Sequence, residues 1–530
     1  MRLDQFVGVG RSASPRVAHS VHRGDGRAAP GHAHPRGPLG ARGRDRARPR
    51  GSGVDRARHR HEHAAAPRRH GRGLPRRVAG GGVVSVSGRP LVGNDWSVLN
   101  GTWPDDPPRV SVVVAHYEQA DDLRRTLTAL RSQTYPRELV EIVVVDDGSA
   151  TAPEVPDDVV LVRQADEGFR LAAARNRGAE AASGDILCFL DADCAPEPGY
   201  LAELTRLPAL SSDVVTVGRR RHADLSALPP DAPLDRLPDE VLFDDPSWLA
   251  NAYERSGNLF HADARSYRYL IGATLCCSAD FFRETGGFDE SFTEYGGEDW
   301  DWAWRCWMHG ALFAHVPTAI AWHNGPDAGG RERDPAAVNA ETRRMERYIP
   351  IAGSRPHALL IGADGDVGAG ATDGAGAGTG AVGDVAVRLS VALTSTQAII
   401  TADSILRHLP TARVFVGDSR AFDGMADPRI VAGEPPADVP YRIDVLAPVR
   451  IETDAPVRSL LEGVGVGADG SVRIADVDGP LLDLTSARVL ARTRRWGDTS
   501  FTARTLAATG VARRLRSPEP SLAAYYGDWD

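Results

Sequence analysis

The chain has 530 residues, of which 42% are hydrophobic, so it is long enough for about two to four domains with substantial cores. Its formal net charge of −9 is unevenly spread, because residues 1–77 hold nineteen arginines against five acidic residues and the rest carries −23. That acidic remainder argues against nucleic acid as a partner of the folded part.

The cysteines indicate a reducing compartment. There are five of them, an odd number, without C-x-x-C spacing and with two adjacent in sequence, so no disulfide framework is expected. No apolar stretch is long enough to cross a bilayer, and the amino terminus lacks the apolar core of a secretory signal. We therefore expect a cytoplasmic protein, with peripheral contact to the inner face of the membrane left open.

Composition divides the chain into four regions. Residues 1–85 are rich in Arg, Gly, Pro and His and should be disordered; translation starting near Val83 is the alternative. The histidines at 59–63 in this tract are read as compositional bias rather than as a metal site. An α/β domain is predicted over residues 86–350, a Gly/Ala-rich linker over 351–386, and a smaller α/β or α+β domain of unknown role over 387–530.

From about Pro107, apolar strands alternate with amphipathic helices, which is typical of an α/β domain with a mostly parallel sheet. The predicted strands and helices are, in chain order, strand 110–114, a helix carrying Leu123, Leu127 and Leu130, strands 141–145 and 159–162, helix 171–182 ended by a left-handed Gly184, and strand 186–190. Loops are predicted over 208–265, a strand over 269–277 and a helix over 298–309 ended by Gly310. In the last domain the prediction is strand 389–393, helix 398–408 and strand 412–416.

Two acidic clusters carry the chemistry. Asp191 and Asp193 form a D-x-D directly after the strand at 186–190, at the carboxyl edge where open α/β sheets bind ligands. Asp147 follows the strand at 141–145 and should share that edge. A bare D-x-D is more often a solvated turn, but the buried strand before it and the matching Asp147 favour a site for a divalent cation and a diphosphate.

These motifs, taken together, resemble a family 2 glycosyltransferase with the GT-A fold. The likeness covers about residues 108–325. It is carried by Tyr117, by the segments at 133–136, 146–149, 174–178 and 184–193, and by Gly286-Gly287-Phe288-Asp289-Glu290 and Gly296-Gly297-Glu298-Asp299, which resemble the acceptor half of galactosyltransferases.

The resemblance implies a role for each matching residue. Donor nucleotide contacts fall to Ala115, Tyr117, Asp147 and Asp191; metal ligation to Asp193 and His323; general base catalysis to Asp299; and sugar or acceptor binding to Glu298 and Trp300, with Trp302 as a second sugar platform. The implied cofactor is Mn²⁺ or Mg²⁺. Simpler interpretations stay open: Tyr117 as core, His323 as a loop residue, and the acids at 298–299 as favourable charges at a helix start.

The sequence therefore predicts a metal-dependent, inverting hexosyl- or N-acetylhexosaminyltransferase that uses a nucleotide sugar, UDP-linked as the first candidate, on a glycan or glycoconjugate acceptor. The chain contains no lysine, so phosphate contacts fall to arginine, with Arg170 and Arg175 as candidates. One alternative is a nucleotidyltransferase that makes nucleotide sugars, although residues 115–125 lack the Gly-rich basic loop it needs. The other is a non-catalytic glycan-binding protein on the same fold.

Overall fold

The computed structural model describes residue 88 and residues 90–327, 335–351, 354, 383–452, 454–497 and 500–526. The predicted disordered tract at 1–85 and most of the predicted linker at 351–386 lie outside these residues. Among the residues described, no helix has the length and apolar character needed to cross a membrane. All five cysteines are buried and free, in agreement with the expectation of no disulfides.

A curved eight-stranded sheet forms the centre of the first half. Its strands are β1 (Val110–His116), β2 (Val140–Asp146), β3 (Val159–Arg163), β4 (Ile186–Asp191), β5 (Cys194–Pro196), β6 (Val214–Ala223), β7 (Thr274–Ser278) and β8 (Leu312–Asn324). They run in the order β3-β2-β1-β4-β7-β6-β8-β5, with the first four parallel and β7 antiparallel to β4. This topology brings the carboxyl ends of β1, β2, β3 and β4 to one edge.

Among the residues described, seven α-helices accompany this sheet: α1 (Ala120–Arg131), α2 (Leu171–Ala181), α3 (Tyr200–Leu210), α4 (Ser247–Arg255), α5 (Ala279–Glu284), α6 (Glu298–Met308) and α7 (Pro335–Tyr348). The predicted apolar face of α1 is confirmed, because Leu123, Leu127 and Leu130 are all buried against the sheet. β1 is buried along its whole length, as a central strand covered on both faces should be.

Two predictions for the region between β5 and α5 were wrong. The region 208–265 is not mainly loop: it contains the ten-residue strand β6 and the helix α4. Pro and Asp in this region mark turns between elements rather than a structureless segment. The strand predicted over 269–277 begins only at Thr274, after a turn of 3₁₀ helix.

Gly184 does not adopt the left-handed conformation predicted for it. α2 ends instead with Ala182 in an extended conformation. Glycine is needed at 184 for space, since a Cβ there would lie 2.6 Å from the backbone nitrogen of Ser111. Gly310 does have a positive φ of 88° and ends α6 as predicted.

A second sheet occupies the carboxyl-terminal half. Its strands are β9 (Val385–Leu389), β10 (Arg413–Val416), β11 (Ile430–Ala432), β12 (Tyr441–Val445), β14 (Asp469–Asp476), β15 (Gly479–Ser486) and β16 (Thr502–Ala507), and a separate pair is formed by β13 (Val449–Ile451) and β17 (Ala512–Arg514). The helices are α8 (Ser395–His408), α9 (Asp454–Gly463), α10 (Ala487–Trp496) and α11 (Leu522–Tyr526). The strand predicted over 389–393 is therefore four residues earlier, whereas the helix and strand that follow it agree closely.

A buried ionic network joins α10 to the first sheet. The Asp213 carboxylate accepts hydrogen bonds from Arg492 Nη1 at 3.2 Å and from Trp496 Nε1 at 2.7 Å. The Arg488 guanidinium lies 3.8 Å from the ring centroid of Trp307, and its Nη1 donates to the carbonyl oxygen of Ala311 at 2.5 Å. Because these arginines are buried, their partners are needed to offset the loss of hydration.

Candidate active site

Asp147 lies where β2 ends, beside the last residues of β1 and β3. Its Oδ1 accepts a hydrogen bond from Gln164 Nε2 at 2.5 Å and its Oδ2 one from the backbone N–H of Arg170 at 3.0 Å. Burial raises the pKa of this carboxyl, although both hydrogen bonds oppose that shift. The two bonds fix the carboxylate in one orientation at the edge of the sheet, where it can still accept a further hydrogen bond from a ligand.

The neighbouring Asp146 has a structural role. It is fully buried, and it accepts hydrogen bonds from His116 Nδ1 at 2.9 Å, Ser149 Oγ at 2.5 Å and Arg163 Nε at 2.7 Å. These partners come from the ends of β1 and β3 and from the turn after β2. Asp146 therefore holds together the three strand ends that present Asp147.

Tyr117 and Ala115 lie at the end of β1. The Tyr117 side chain is 48% exposed, which contradicts its interpretation as core and leaves the ring available to a ligand. The nearby carboxylates, Asp166 most strongly, raise the pKa of the Tyr117 hydroxyl. Asp147 contributes to this shift, so Tyr117 lies near Asp147. Ala115 is buried, and its carbonyl oxygen accepts from the backbone N–H of Ala192 at 3.1 Å, which ties β1 to the D-x-D.

A buried arginine joins the two acidic clusters. Arg175, on α2, is 2% exposed; its Nη2 donates to Asp191 Oδ1 at 2.9 Å and its Nη1 to Glu298 Oε1 at 2.8 Å. Gly272 leaves the space for this guanidinium, since a Cβ there would lie 2.6 Å from it. The prediction of Arg175 as a phosphate ligand is wrong, because both of its terminal nitrogens are bound to carboxylates.

The contacts of Arg170, the second predicted phosphate ligand, do not support that role. Its guanidinium pairs with Glu167, one turn away, and its backbone N–H is used by Asp147. An arginine that sequence reasoning missed is Arg220, on β6, whose charge lowers the pKa of His323 and of Tyr295. Its Nη2 pairs with Asp327 Oδ1 at 3.2 Å, so a phosphate would compete with that carboxylate. Three consecutive arginines at 219–221 were the signal in the sequence.

Asp193 and His323 face each other across the edge of the sheet. The distance between Asp193 Oδ2 and His323 Nε2 is 3.4 Å, and Gln119 Nε2 also donates to Asp193 Oδ2 at 3.2 Å. His323 Nδ1 donates to the carbonyl oxygen of Gly325 at 3.0 Å. Burial lowers the pKa of this imidazole, but the hydrogen bond and charge of Asp193 raise it above its ordinary value, so a cation would have to displace the proton from Nε2. Burial would raise the pKa of Asp193, but the hydrogen bond and charge of His323 bring it below its ordinary value.

This pair fits a divalent cation as a partial set of ligands. One carboxylate oxygen and one neutral imidazole nitrogen suit Mn²⁺ or Mg²⁺, which complete their coordination with substrate phosphates and water. In the part of the chain that is described, no group of three or more His, Cys, Asp or Glu side chains surrounds a common point. A cation would therefore need the oxygens of a bound diphosphate.

A second histidine, missed from the sequence, lies beside His323. His222 pairs with His323 in register across β6 and β8, with ring centroids 4.9 Å apart. Its Nδ1 is 3.1 Å from the same carbonyl oxygen of Gly325, and its Nε2 is buried without a hydrogen bond. Burial lowers the pKa of this imidazole, so a neutral ring packs against the proposed metal ligand.

Glu298 and Asp299 open α6 after Gly297, whose φ of 100° is left-handed. Glu298 is buried; Arg175 binds its Oε1, while its Oε2 has no hydrogen-bond partner. An unpaired buried carboxylate oxygen is costly unless a ligand satisfies it. A hydroxyl of a bound sugar would do so.

Asp299 is the only carboxyl in this cluster whose pKa is raised close to neutrality among the residues described. Burial, then the charge of Glu298, raises it to about 7, although the N–H of Gly272, at 2.9 Å from Oδ2, and that of Trp300, at 2.8 Å from Oδ1, oppose the shift. A carboxylate with this pKa can accept a proton at neutral pH. The start of a helix alone would lower its pKa instead.

The four tryptophans of α6 divide into two groups. Trp300 is half-buried and packs edge-on against Tyr267, with ring centroids 5.9 Å apart, so part of its face is available to a sugar. Trp302 is fully buried among phenylalanines, and its role as a sugar platform is wrong. Trp304 and Trp307 are also buried, so core packing accounts for three of the four.

An exposed aromatic platform that sequence reasoning missed is Tyr295. Its ring is 70% exposed and stands edge-on to Phe169 at 5.9 Å. Burial of its hydroxyl raises the pKa of Tyr295, the charge of Arg220 opposes this shift, and the charges of Asp191, Asp299 and Glu298 add to it. The Gly296-Gly297 turn beside it was the signal in the sequence.

Replacing Arg175 by Leu is expected to lower the free energy of unfolding by about 3–5 kcal/mol, since it leaves the buried Glu298 carboxylate without its partner. The matched control is Arg177→Leu on the exposed face of the same helix, with an expected change within about 0.5 kcal/mol. Urea denaturation of both variants measures the difference. Equal stabilities would contradict the bridging role of Arg175.

Comparison with known proteins agrees with this geometry. Residues 111–234 match the family described as glycosyl transferase family 2, and residues 258–323 match the N-terminal domain of galactosyltransferase. Chondroitin synthase of Escherichia coli is 27% identical over 277 residues, covering 46% of this chain and 40% of that enzyme. The chain thus spans less than half the length of that relative.

Two further similarities are of the same kind. Validoxylamine A glucosyltransferase of Streptomyces hygroscopicus subsp. jinggangensis is 35% identical over 283 residues, covering 48% of this chain and 62% of that enzyme. Among solved structures, a mannosyltransferase of Pyrobaculum calidifontis in complex with GDP-Man and Mn²⁺ has 20% identity and a TM-score of 0.32, over 47% of this chain and 65% of that one. Residues 111–234 are therefore similar to family 2 glycosyltransferases, and residues 258–323 are similar to a domain of galactosyltransferases.

Proposed function

We propose that this protein transfers a hexose or N-acetylhexosamine from a nucleotide sugar, UDP-linked as the first candidate, to a hydroxyl of a glycan or glycoconjugate. The observation that carries the proposal is the buried Arg175, which ties the D-x-D of the donor half to the Glu298-Asp299 pair of the acceptor half. Sugar transfer needs both halves around one anomeric carbon. The names of the two curated relatives, a polysaccharide synthase and a glucosyltransferase, favour the same chemistry.

The donor nucleotide would lie along the ends of β1, β2 and β3. Tyr117 offers an exposed ring for stacking on the base, and Asp147 offers a fixed carboxylate for the N–H of a uracil-type base. Asp191 would meet the ribose or a water on the cation. Uracil is the first candidate because the family resemblance implies a uridine-type nucleotide, and its imide N–H can donate to this carboxylate.

The diphosphate would reach Asp193 and His323. A divalent cation bound there supplies positive charge to the leaving diphosphate as the glycosidic bond breaks. Gln119 and the carbonyl of Gly325 hold the two ligands in place by hydrogen bonding to Asp193 and His323. Arg220 is the arginine placed to add charge on the same side.

Asp299 would act as the general base of an inverting displacement. Its carboxylate takes the proton of the acceptor hydroxyl while that oxygen attacks the anomeric carbon on the face opposite the leaving diphosphate. Glu298 Oε2, buried and without a partner, would accept a hydrogen bond from a sugar hydroxyl. Tyr295 and Trp300 would flank the acceptor.

A thermal-shift screen of nucleotide sugars with and without Mn²⁺ tests the proposal, since a ligand that binds the folded state raises the melting temperature by mass action. UDP-hexoses or UDP-N-acetylhexosamines are expected to raise it in the presence of Mn²⁺, and EDTA should remove the shift. Product formation from the same donor then identifies the acceptor. A GDP- or dTDP-sugar that binds in preference would overturn the UDP assignment.

A further inference from the structure

The second sheet repeats the topology of the first. The order β11-β10-β9-β12-β15-β14-β16 corresponds strand by strand to β3-β2-β1-β4-β7-β6-β8. The relative directions agree as well: the first four strands are parallel, β15 is antiparallel to both β12 and β14, and β16 is parallel to β14, as β7, β4, β6 and β8 are in the first sheet.

The shorter elements follow the same plan. β13 comes after β12 and pairs antiparallel with β17, which continues from β16, just as β5 pairs antiparallel with the last part of β8. α8, α9 and α10 occupy the chain positions of α1, α3 and α5. Ser486 caps α10 by accepting from Val489 N, as Ser278 caps α5 by accepting from Phe281 N.

Among the residues described, the second sheet lacks a counterpart of α2, the acceptor half and the acidic residues. β14 and β15 are joined directly at residues 477–478, where the first sheet inserts α4, and only residues 497–501 separate α10 from β16, where the first sheet inserts α6. The last residue of β12 and the two that follow are Val445, Leu446 and Ala447, which stand where Asp191, Ala192 and Asp193 stand after β4. This site therefore has no counterpart of the D-x-D or of Asp299.

A cleft of about 300 Å³ remains at the carboxyl ends of β9, β10 and β11. It is lined by Arg388 of β9 and Ser390 after it, by Phe415 of β10 and Gly417 after it, and by Gly433 and Glu434 after β11. The corresponding ends of β1, β2 and β3 carry Tyr117, Asp147 and Gln164. The cleft thus occupies the position that the base of the donor nucleotide is proposed to occupy in the first sheet, and its volume is at the lower end of the range for small-molecule sites.

Charge restricts what this cleft can hold. The Arg388 guanidinium is already paired, with Nε 2.6 Å from Asp444 Oδ1 and Nη1 3.4 Å from Glu434 Oε2. A diphosphate would meet two carboxylates and an arginine whose charge they neutralise, without a metal site to compensate. A neutral ligand with hydrogen-bonding edges avoids this repulsion, and the bare backbone at Gly417 and Gly433 admits a flat ring.

We propose that the second sheet is a reduced copy of the donor-binding core and that its cleft binds a nucleoside without a metal. The inference goes beyond the proposed transfer, because it assigns a second site that takes no part in the chemistry. The nucleoside portion is recognised through Arg388, Ser390 and Glu434 at the rim and by contact with Phe415. Phosphates, where present, point away from these carboxylates.

The test is the binding of uridine to the full-length protein in the presence of EDTA. Saturation-transfer NMR and calorimetry measure this binding. Gly417→Trp fills the cleft without backbone strain, since a Cβ at Gly417 meets no atom within 4 Å. Gly463→Trp is the matched control, because its Cβ is equally unobstructed and Gly463 does not line the cleft. Asp147→Ala distinguishes uridine binding in the cleft from uridine binding at the first sheet.

In the Asp147→Ala background, where binding at the first sheet is weakened, uridine binding should persist; we expect Gly417→Trp to weaken this remaining binding at least tenfold and Gly463→Trp to leave it unchanged. Ser390→Leu, at the exposed rim, should weaken binding in the same direction and guards against a folding defect in Gly417→Trp. Absence of uridine binding in the wild type, binding in this background that Gly417→Trp and Ser390→Leu leave intact, or binding lost in Asp147→Ala alone would each overturn the proposal. Transfer activity does not enter the measurement, so failure of the proposed function is detected separately.

Discussion

Replacing Asp299 by Asn is expected to lower kcat/KM for sugar transfer by about 10²–10⁴-fold, the usual contribution of a general base. The single amide oxygen of Asn can accept from only one of the two N–H groups, Gly272 or Trp300, that bind the Asp299 carboxylate. The amide cannot take the proton of the acceptor hydroxyl. Initial rates of nucleotide release, measured with saturating donor, quantify the loss. Asp280→Asn, at the exposed start of α5, is the control and should keep normal activity.

The pH dependence of kcat/KM is a second test of Asp299 as the general base. Because burial and Glu298 raise the pKa of Asp299 to about 7, the group is protonated and inactive below that pH, so kcat/KM of the wild type should rise with pH through about 7 and then level off. A carboxyl whose pKa is raised in the folded state destabilises the protein as pH rises above its pKa in the unfolded chain. Asn has no such charge, so Asp299→Asn should be at least as stable as the wild type at pH 8. Near-normal turnover in a folded Asp299→Asn would refute the role of the base.

Replacing Asp193 by Ala is expected to abolish transfer by a different route. The variant removes the carboxylate from a two-residue ligand set, and loss of the charge that a cation supplies is worth several kcal/mol, or at least about 10²-fold in rate. The stabilisation of the protein by UDP plus Mn²⁺ should disappear together with activity. Asp299→Asn should retain that stabilisation, which distinguishes donor binding from proton transfer.

Asp158→Ala serves as the control for Asp193→Ala, because Asp158 forms only partly exposed ion pairs with Arg131 and Arg137 at the far end of α1. Pairs of this kind contribute little to stability. His323→Ala should reproduce the effect of Asp193→Ala. Full activity of Asp193→Ala in EDTA would exclude the proposed cation from the reaction.

The motifs that end strands were predictable from the sequence because a short, continuous apolar run marks a buried strand, and its last residue marks where the chain reaches the edge of the sheet. Asp147, Asp191 and Asp193 were located in this way, and the structure places all three at the carboxyl ends of β2 and β4. Their roles stay predictions. The pairing of Asp193 with His323 depended on the family resemblance, since 130 positions in the chain separate them.

What the sequence did not reveal depends on contacts between distant elements. Arg175 reads as an ordinary helix residue, and only packing against Gly272 and the two carboxylates shows it to be a bridge. Trp302 was misassigned because periodicity distinguishes the faces of a helix but does not say which face is covered. The repeat of the first sheet's topology in the second was invisible, because the residues that carry the motifs have been replaced while the strand order has not.

The most direct test of the central claim is electron paramagnetic resonance of Mn²⁺ titrated into the protein with UDP present. The account predicts one tight Mn²⁺ site in the wild type and in Asp299→Asn, and loss of that site in both Asp193→Ala and His323→Ala. Mn²⁺ bound equally well by all four proteins would contradict it, because the aspartate and the histidine would then hold no common cation.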